Sequence, residues 1–110
     1  MTAALEAGEP VTIEPQSIAD GLGTPFTGEG TLAVCRERVE RVVLVEDNEI
    51  EEGFRFLYGR AKLACEPAGA ATTAALLAGK VPLRPGERVV AVVSGGNVAP
   101  ETASAILASR

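Results

Sequence analysis

Four residues near the end of the chain, Ser94-Gly95-Gly96-Asn97, join a hydroxyl and an amide to two glycines that permit close backbone approach. They follow Arg88 and an apolar run, residues 89–93, and precede Pro100, which suits the first position of a helix. In open α/β sheets, ligands sit beyond the carboxyl ends of strands, often at a helix N-terminus. A tight turn whose glycines take positive φ would use the same residues. A second group, residues 62–70, reads Lys-Leu-Ala-Cys-Glu-Pro-Ala-Gly-Ala. On its own, Glu66 ahead of Pro67 reads as a helix cap. A third group, Ile18-Ala19-Asp20-Gly21-Leu22, centres on a turn-forming Asp-Gly pair. Taken singly, each of the three reads as local structure.

Composition narrows the chemistry. The chain has no His, which removes Ser-His-Asp and Cys-His catalysis and any zinc site that uses His. Its two cysteines, Cys35 and Cys65, are isolated and lie in apolar helical contexts. Both are expected to be buried thiols in a reducing cytosol. With 10 basic and 15 acidic residues the net charge is −5, the wrong sign for a nucleic-acid partner. No apolar run approaches the ~20 residues of a membrane span, and the first ten residues lack the basic and apolar regions of a signal peptide. An apolar fraction of 46% with so modest a charge excludes disorder. With only four aromatic residues against 18 Ala and 12 Val, the core must be aliphatic. The expectation is an acidic cytoplasmic protein of one domain.

The elements that must position the three groups follow from patterning. Residues 1–8 suit a short helix ended by Gly8 and Pro10, and residues 31–39 a second with Leu32, Val34 and Cys35 facing in. Residues 42–45 and 89–93 are continuous β-branched runs, the pattern of strands buried on both faces of a parallel sheet. Between them, Ile50, Phe54, Leu57, Tyr58 and Ala61 share one helical face behind an expected Asp47 N-cap. Gly53 and Gly59 weaken that helix. An Ala-rich helix over residues 68–78, capped by Gly79, has small faces suited to close packing. Strands alternating with helices predict a partial three-layer αβα fold with a parallel sheet. Two strands leave exposed sheet edges, which points to a larger assembly or a second copy.

Taken together, the three groups carry more. Ala19-Asp20-Gly21, then Lys62 through Gly69, then Ser94-Gly95-Gly96-Asn97-Val98, in that order and spacing, resemble the C-terminal part of the threonine and serine dehydratases. These are pyridoxal-phosphate enzymes of the tryptophan-synthase-β fold type and include serine racemase. The resemblance runs from about Thr12 to the end and implies one partial domain, residues 1–110. It implies that the Ser94 hydroxyl meets the pyridine nitrogen of the cofactor, with Gly95 beside it. Gly21 would line the cofactor face by its backbone, and Glu66 would sit near the ring. Ser94, Gly21 and Glu66 should then converge on one cleft. Lys62 and Asn97 match positions that contact a nucleotide effector in serine racemase.

The departures are equally informative. The Ser-Phe-Lys motif with the family's Schiff-base lysine is absent, and so is the Gly-rich loop for the cofactor phosphate. The two lysines, Lys62 and Lys80, lie in other contexts, so no catalytic residue and no metal ligand is assigned. The resemblance therefore implies a fragment of an amino-acid ammonia-lyase acting on threonine or serine. Pyridoxal phosphate would be the cofactor of the complete enzyme, which would be a homo-oligomer or complement an N-terminal part. The alternative is a non-catalytic binding or interaction module derived from that family, or a gene-fragment product.

Overall fold

The computed structural model describes residues 1–109. The chain forms two compact units. One comprises Met1–Gln16 and Gly23–Val42, and the other Ser17–Leu22 and the chain from Val43 onward.

The second unit is organised by two helices, α3 (Asp47–Phe56) and α4 (Pro67–Leu77). The expected Asp47 cap is corrected to Glu46, whose N–H donates to Glu49 Oε2 at 2.7 Å in the return half of a capping box. Ile50, Phe54 and Leu57 are buried as the periodicity predicts, and Tyr58 stacks on Phe54 with ring centroids 4.6 Å apart. Ala61 leaves that face and is exposed. The reason is a π turn over Leu57–Ala61, whose wider winding breaks the 3.6-residue register. It ends at Lys62, which takes the left-handed conformation (φ 58°).

Helix α4 begins with Pro67 at its first turn and ends ahead of Gly79, whose φ of 67° turns the chain away as expected. Its small residues Ala70 and Ala74 are fully buried, and they receive Gly53 of α3. Gly53 thus does not merely weaken its helix. A Cβ there would come within 2.9 Å of the Ala70 carbonyl oxygen and of the Ala74 nitrogen, so the close crossing requires glycine. Helix α5 (Pro100–Ala108) adds Ile106 to the core. Arg55 Nη1 fixes its end through Ile106 O at 3.1 Å and Ser109 Oγ at 2.8 Å.

In the first unit, α1 (Thr2–Ala7) ends at Gly8 (φ 81°), as the sequence predicts. Helix α2 spans Glu29–Arg38 and buries Leu32, but Val34 is 59% exposed and Cys35 only half-buried. Two positions on from Leu32, Val34 stands about 200° around the helix and cannot share its face. Ile13 N–H donates to the Pro25 carbonyl at 2.7 Å and closes the irregular stretch of this unit.

The two β-branched runs depart most from expectation. No β-ladder forms among the described residues, so the parallel sheet is absent from them. The runs are not buried on both faces either: Leu44 is 66% exposed and Val90 87%, while Val45 and Val93 pack against the core. Side chains hold these runs at two carbonyls. Lys80 Nζ donates to Leu44 O at 3.0 Å, and Thr72 Oγ1 to Val92 O at 2.9 Å. A continuous apolar run encodes the propensity for a strand, but a ladder needs a neighbour at about 4.8 Å to exchange backbone bonds.

Candidate functional site

The turn that carries Gly21 is a 3₁₀ segment, Asp20–Leu22. Asp47, freed from capping, holds it: its Oδ1 accepts from Ser17 Oγ at 2.6 Å and from Ile18 N–H at 3.2 Å. Ala19 is buried in the core, and the Asp20 carboxylate accepts the Gly21 N–H at 2.7 Å. The result sets Gly21 against the start of α4. A Cβ on Gly21 would lie 3.0 Å from Ala68 Cβ and 3.2 Å from Glu66 Oε1.

Glu66 occupies the residue before α4, yet its side chain makes no capping bond to that helix. It reaches across to the loop that follows residue 93. Glu66 N–H donates to the Gly95 carbonyl at 3.2 Å, and Asn97 N–H donates to Glu66 Oε2 at 3.1 Å. Gly95 has φ 81°, and a Cβ there would overlap Glu66 Oε1. One position earlier, the Ser94 carbonyl lies against Gly69, where a Cβ would overlap it. Val98 N–H donates to the Gly96 carbonyl at 3.1 Å and closes the loop.

Gly21, Glu66, Ser94, Gly95 and Asn97, up to 76 positions apart, therefore meet at the start of α4. Ser94 to Asn97 are exposed and Glu66 is half-buried, so the group lies open to solvent. Lys62 stands apart in its interactions, with Nζ donating to the Gly59 carbonyl at 2.7 Å. Two residues to which the sequence assigned no part in this group take one: Gly69, which closes the Lys62–Gly69 motif, and Asp47, expected only as a cap. Gly69 had its signal in the small-residue pattern that opens α4, whereas Asp47 resembles any helix-starting aspartate until its partners are known.

Electrostatics around the group are simple. Burial pushes the thiol of neighbouring Cys65 above its usual pKa, and the negative Glu66 carboxylate adds to the effect. Cys65 is fully buried, so it is a core thiol and not a nucleophile. The other lysine, Lys80, is engaged with Glu49 Oε2 at 2.6 Å.

The donor set suits one end of pyridoxal phosphate. It offers the Ser94 hydroxyl, a neutral partner for a ring nitrogen, on an exposed loop. Neither lysine bonds within it, since Lys62 Nζ donates to the Gly59 carbonyl and Lys80 Nζ to Glu49, and the sequence has no Gly-rich phosphate loop.

Residues 1–95 match the family described as pyridoxal-phosphate dependent enzyme. The chain is similar to the catabolic L-threonine dehydratase of Staphylococcus aureus, 45% identical over 87 residues that cover 77% of this chain and 25% of the relative. It is similar to the phenylserine dehydratase of Ralstonia pickettii, 41% identical over 88% of this chain and 30% of that protein. Among solved structures, serine racemase from Dictyostelium discoideum superposes with a TM-score of 0.72 at 32% identity, over 88% of this chain and 31% of the racemase. The chain thus spans about a quarter to a third of the length of these relatives. No helix among the described residues is long and apolar enough to cross a membrane. With the family profile covering most of its length and dehydratases and a racemase among its relatives, the chain belongs to the pyridoxal-phosphate-dependent enzymes, in the threonine/serine dehydratase group.

Proposed function

We propose that residues 1–110 are the C-terminal portion of a cytoplasmic threonine or serine ammonia-lyase, one partial domain that contributes the ring-nitrogen side of the cofactor site. The observation that carries this reading is the meeting of Gly21, Glu66 and Ser94-Gly95 at the start of α4. In the complete enzyme Ser94 Oγ would hold the pyridine nitrogen with Gly95 beside it, Gly21 would line the ring face by its backbone, and Glu66 would stand near the ring. A neutral hydroxyl at that nitrogen does not force its protonation. This suits β-elimination, in which the hydroxyl departs promptly, better than prolonged carbanion chemistry. When bound, the cofactor supplies the electron sink for that elimination, and the products are a 2-keto acid and ammonia. Lys62 and Asn97 contribute to an effector site in the same enzyme. The exposed runs 42–45 and 89–93 join a parallel sheet whose other strands come from the remainder of the enzyme or from a second copy.

The chain's own residues do not complete the reaction. Proton removal from the substrate α-carbon needs an amine with a near-neutral pKa, and a phosphate needs backbone donors at a helix N-terminus. Ser94 offers one neutral hydrogen bond, worth about 0.5–1.5 kcal/mol net. Micromolar affinity corresponds to about 8 kcal/mol. The chain alone is therefore expected to hold pyridoxal phosphate weakly and to show no turnover. The test is to assay 2-ketobutyrate from threonine, and pyruvate from serine, with and without an N-terminal fragment bearing the Ser-Phe-Lys motif and the Gly-rich loop. Activity that appears only with the fragment, and falls on Ser94→Ala, supports the reading. Turnover by the chain alone that is lost in Lys62→Ala or Lys80→Ala would overturn the assignment of the base.

A further inference from the structure

We propose that Glu66 is a positioning residue whose carboxylate clasps the loop of residues 94–97 and thereby fixes the backbone that carries the Ser94 hydroxyl. Its consequence for catalysis rests on the reading of Ser94 as the partner of the ring nitrogen.

Glu66 does not cap the helix it precedes. A carboxylate ahead of a proline-started helix would ordinarily accept a first-turn N–H of that helix. Here no such bond exists, and the side chain spends its acceptor on Asn97 N–H, 31 positions away. The backbone of the same residue donates to Gly95 O at 3.2 Å. Glu66 thus holds the loop at two points that flank Gly96, once through its main chain and once through its carboxylate.

Sterics complete the clasp. Gly95 adopts φ 81°, and the place where its Cβ would stand is filled by Glu66 Oε1 and Cδ. Oε1 also closes on Gly21 from the opposite segment. The carboxylate is therefore wedged between two glycines that no other residue could replace without moving it. Ser94 immediately precedes the wedge, and its carbonyl rests on Gly69. With the residues on both sides held, the backbone at Ser94 is fixed and its Cβ leaves the loop in one direction. Without the clasp, an exposed four-residue loop with two adjacent glycines would sample many directions.

Amide hydrogen exchange on the full chain tests this without cofactor or substrate. Asn97 N–H is expected to exchange about tenfold more slowly in the wild type than in Glu66→Ala, the effect of one hydrogen bond. Glu66→Gln keeps an acceptor oxygen and is expected to restore most of the protection. Amides within α4 should be unaffected in either variant, which separates a clasp from general loosening. If Glu66→Ala does not fold, Glu66→Asp, whose shorter side chain withdraws the acceptor from Asn97, is expected to speed Asn97 exchange while Glu66→Gln does not. Unchanged Asn97 exchange in a folded Glu66→Ala or Glu66→Asp variant would overturn the proposal. Failure of the dehydratase reading would appear separately, as absence of activity in the complemented enzyme while Asn97 remains protected.

Discussion

Gly53 of α3 and Ala74 of α4 approach so closely that a single added methyl group on the glycine would lie 2.9 Å from the Ala74 backbone nitrogen and 3.1 Å from its Cα. The obstacle is backbone, which cannot rotate aside as a side chain would. Through this crossing α4 is seated on α3, and the start of α4 carries Glu66.

Gly53→Ala should therefore destabilise the protein by about 1–3 kcal/mol, the cost of overpacking, despite the gain in helix propensity of about 1 kcal/mol. Gly59→Ala makes the contrast, because nothing lies within 4 Å of the added methyl. It should be neutral or slightly stabilising. Urea denaturation of both variants measures the difference, and equal effects would refute the close crossing.

Phe54 is completely buried and stacks on Tyr58. Phe54→Ala should cost about 3–5 kcal/mol, enough to unfold much of a small domain. Phe54→Leu, which keeps most of the volume, should cost clearly less. Thermal unfolding followed by far-UV circular dichroism gives the ranking.

The Lys80 ammonium, bonded to Glu49, holds that carboxyl below the ordinary glutamate range, and the Glu46 N–H adds to the effect. A depressed folded-state pKa means that the unfolded chain binds the proton more readily. The contribution of Glu49 to stability is thus fully present above the unfolded pKa of about 4.3 and is lost as pH falls through the lower folded value. Denaturation midpoints in urea should drop more steeply below pH 4.3 in the wild type than in Glu49→Gln. Parallel pH profiles would remove Glu49 as the cause.

Cys65 is fully buried with its thiol pushed above the usual range, whereas Cys35 is half-buried. Under native conditions at pH 8, iodoacetamide should label Cys35 many times faster than Cys65, with both reacting after denaturation. Mass spectrometry of the peptides reads the ratio. Comparable native rates would show that the core around Cys65 opens readily.

Much of this architecture was legible in local chemistry. Helix ends at Gly8 and Gly79, the proline starts at Pro67 and Pro100, and the buried face of Ile50, Phe54 and Leu57 all follow from near-neighbour rules. Those rules describe what a residue does to its own turn of chain, and they needed no partner. The order of the three site motifs also pointed to the family. What local chemistry left open was the destination of each long-range group. Asp47 read as a cap and became the anchor of the Gly21 turn, while Glu66 read as a cap and bound a loop 31 positions on. The identity of an acceptor is written in the sequence, but its donor is chosen only when the helices pack. The β-branched runs make the same point in reverse. Their apolar character predicts strands, yet a ladder is a property of two segments in register, and no such pairing exists among the described residues. Tertiary structure thus decided which polar groups met and which backbones remained unpaired, because hydrogen bonds form where packing brings donor and acceptor within about 3 Å.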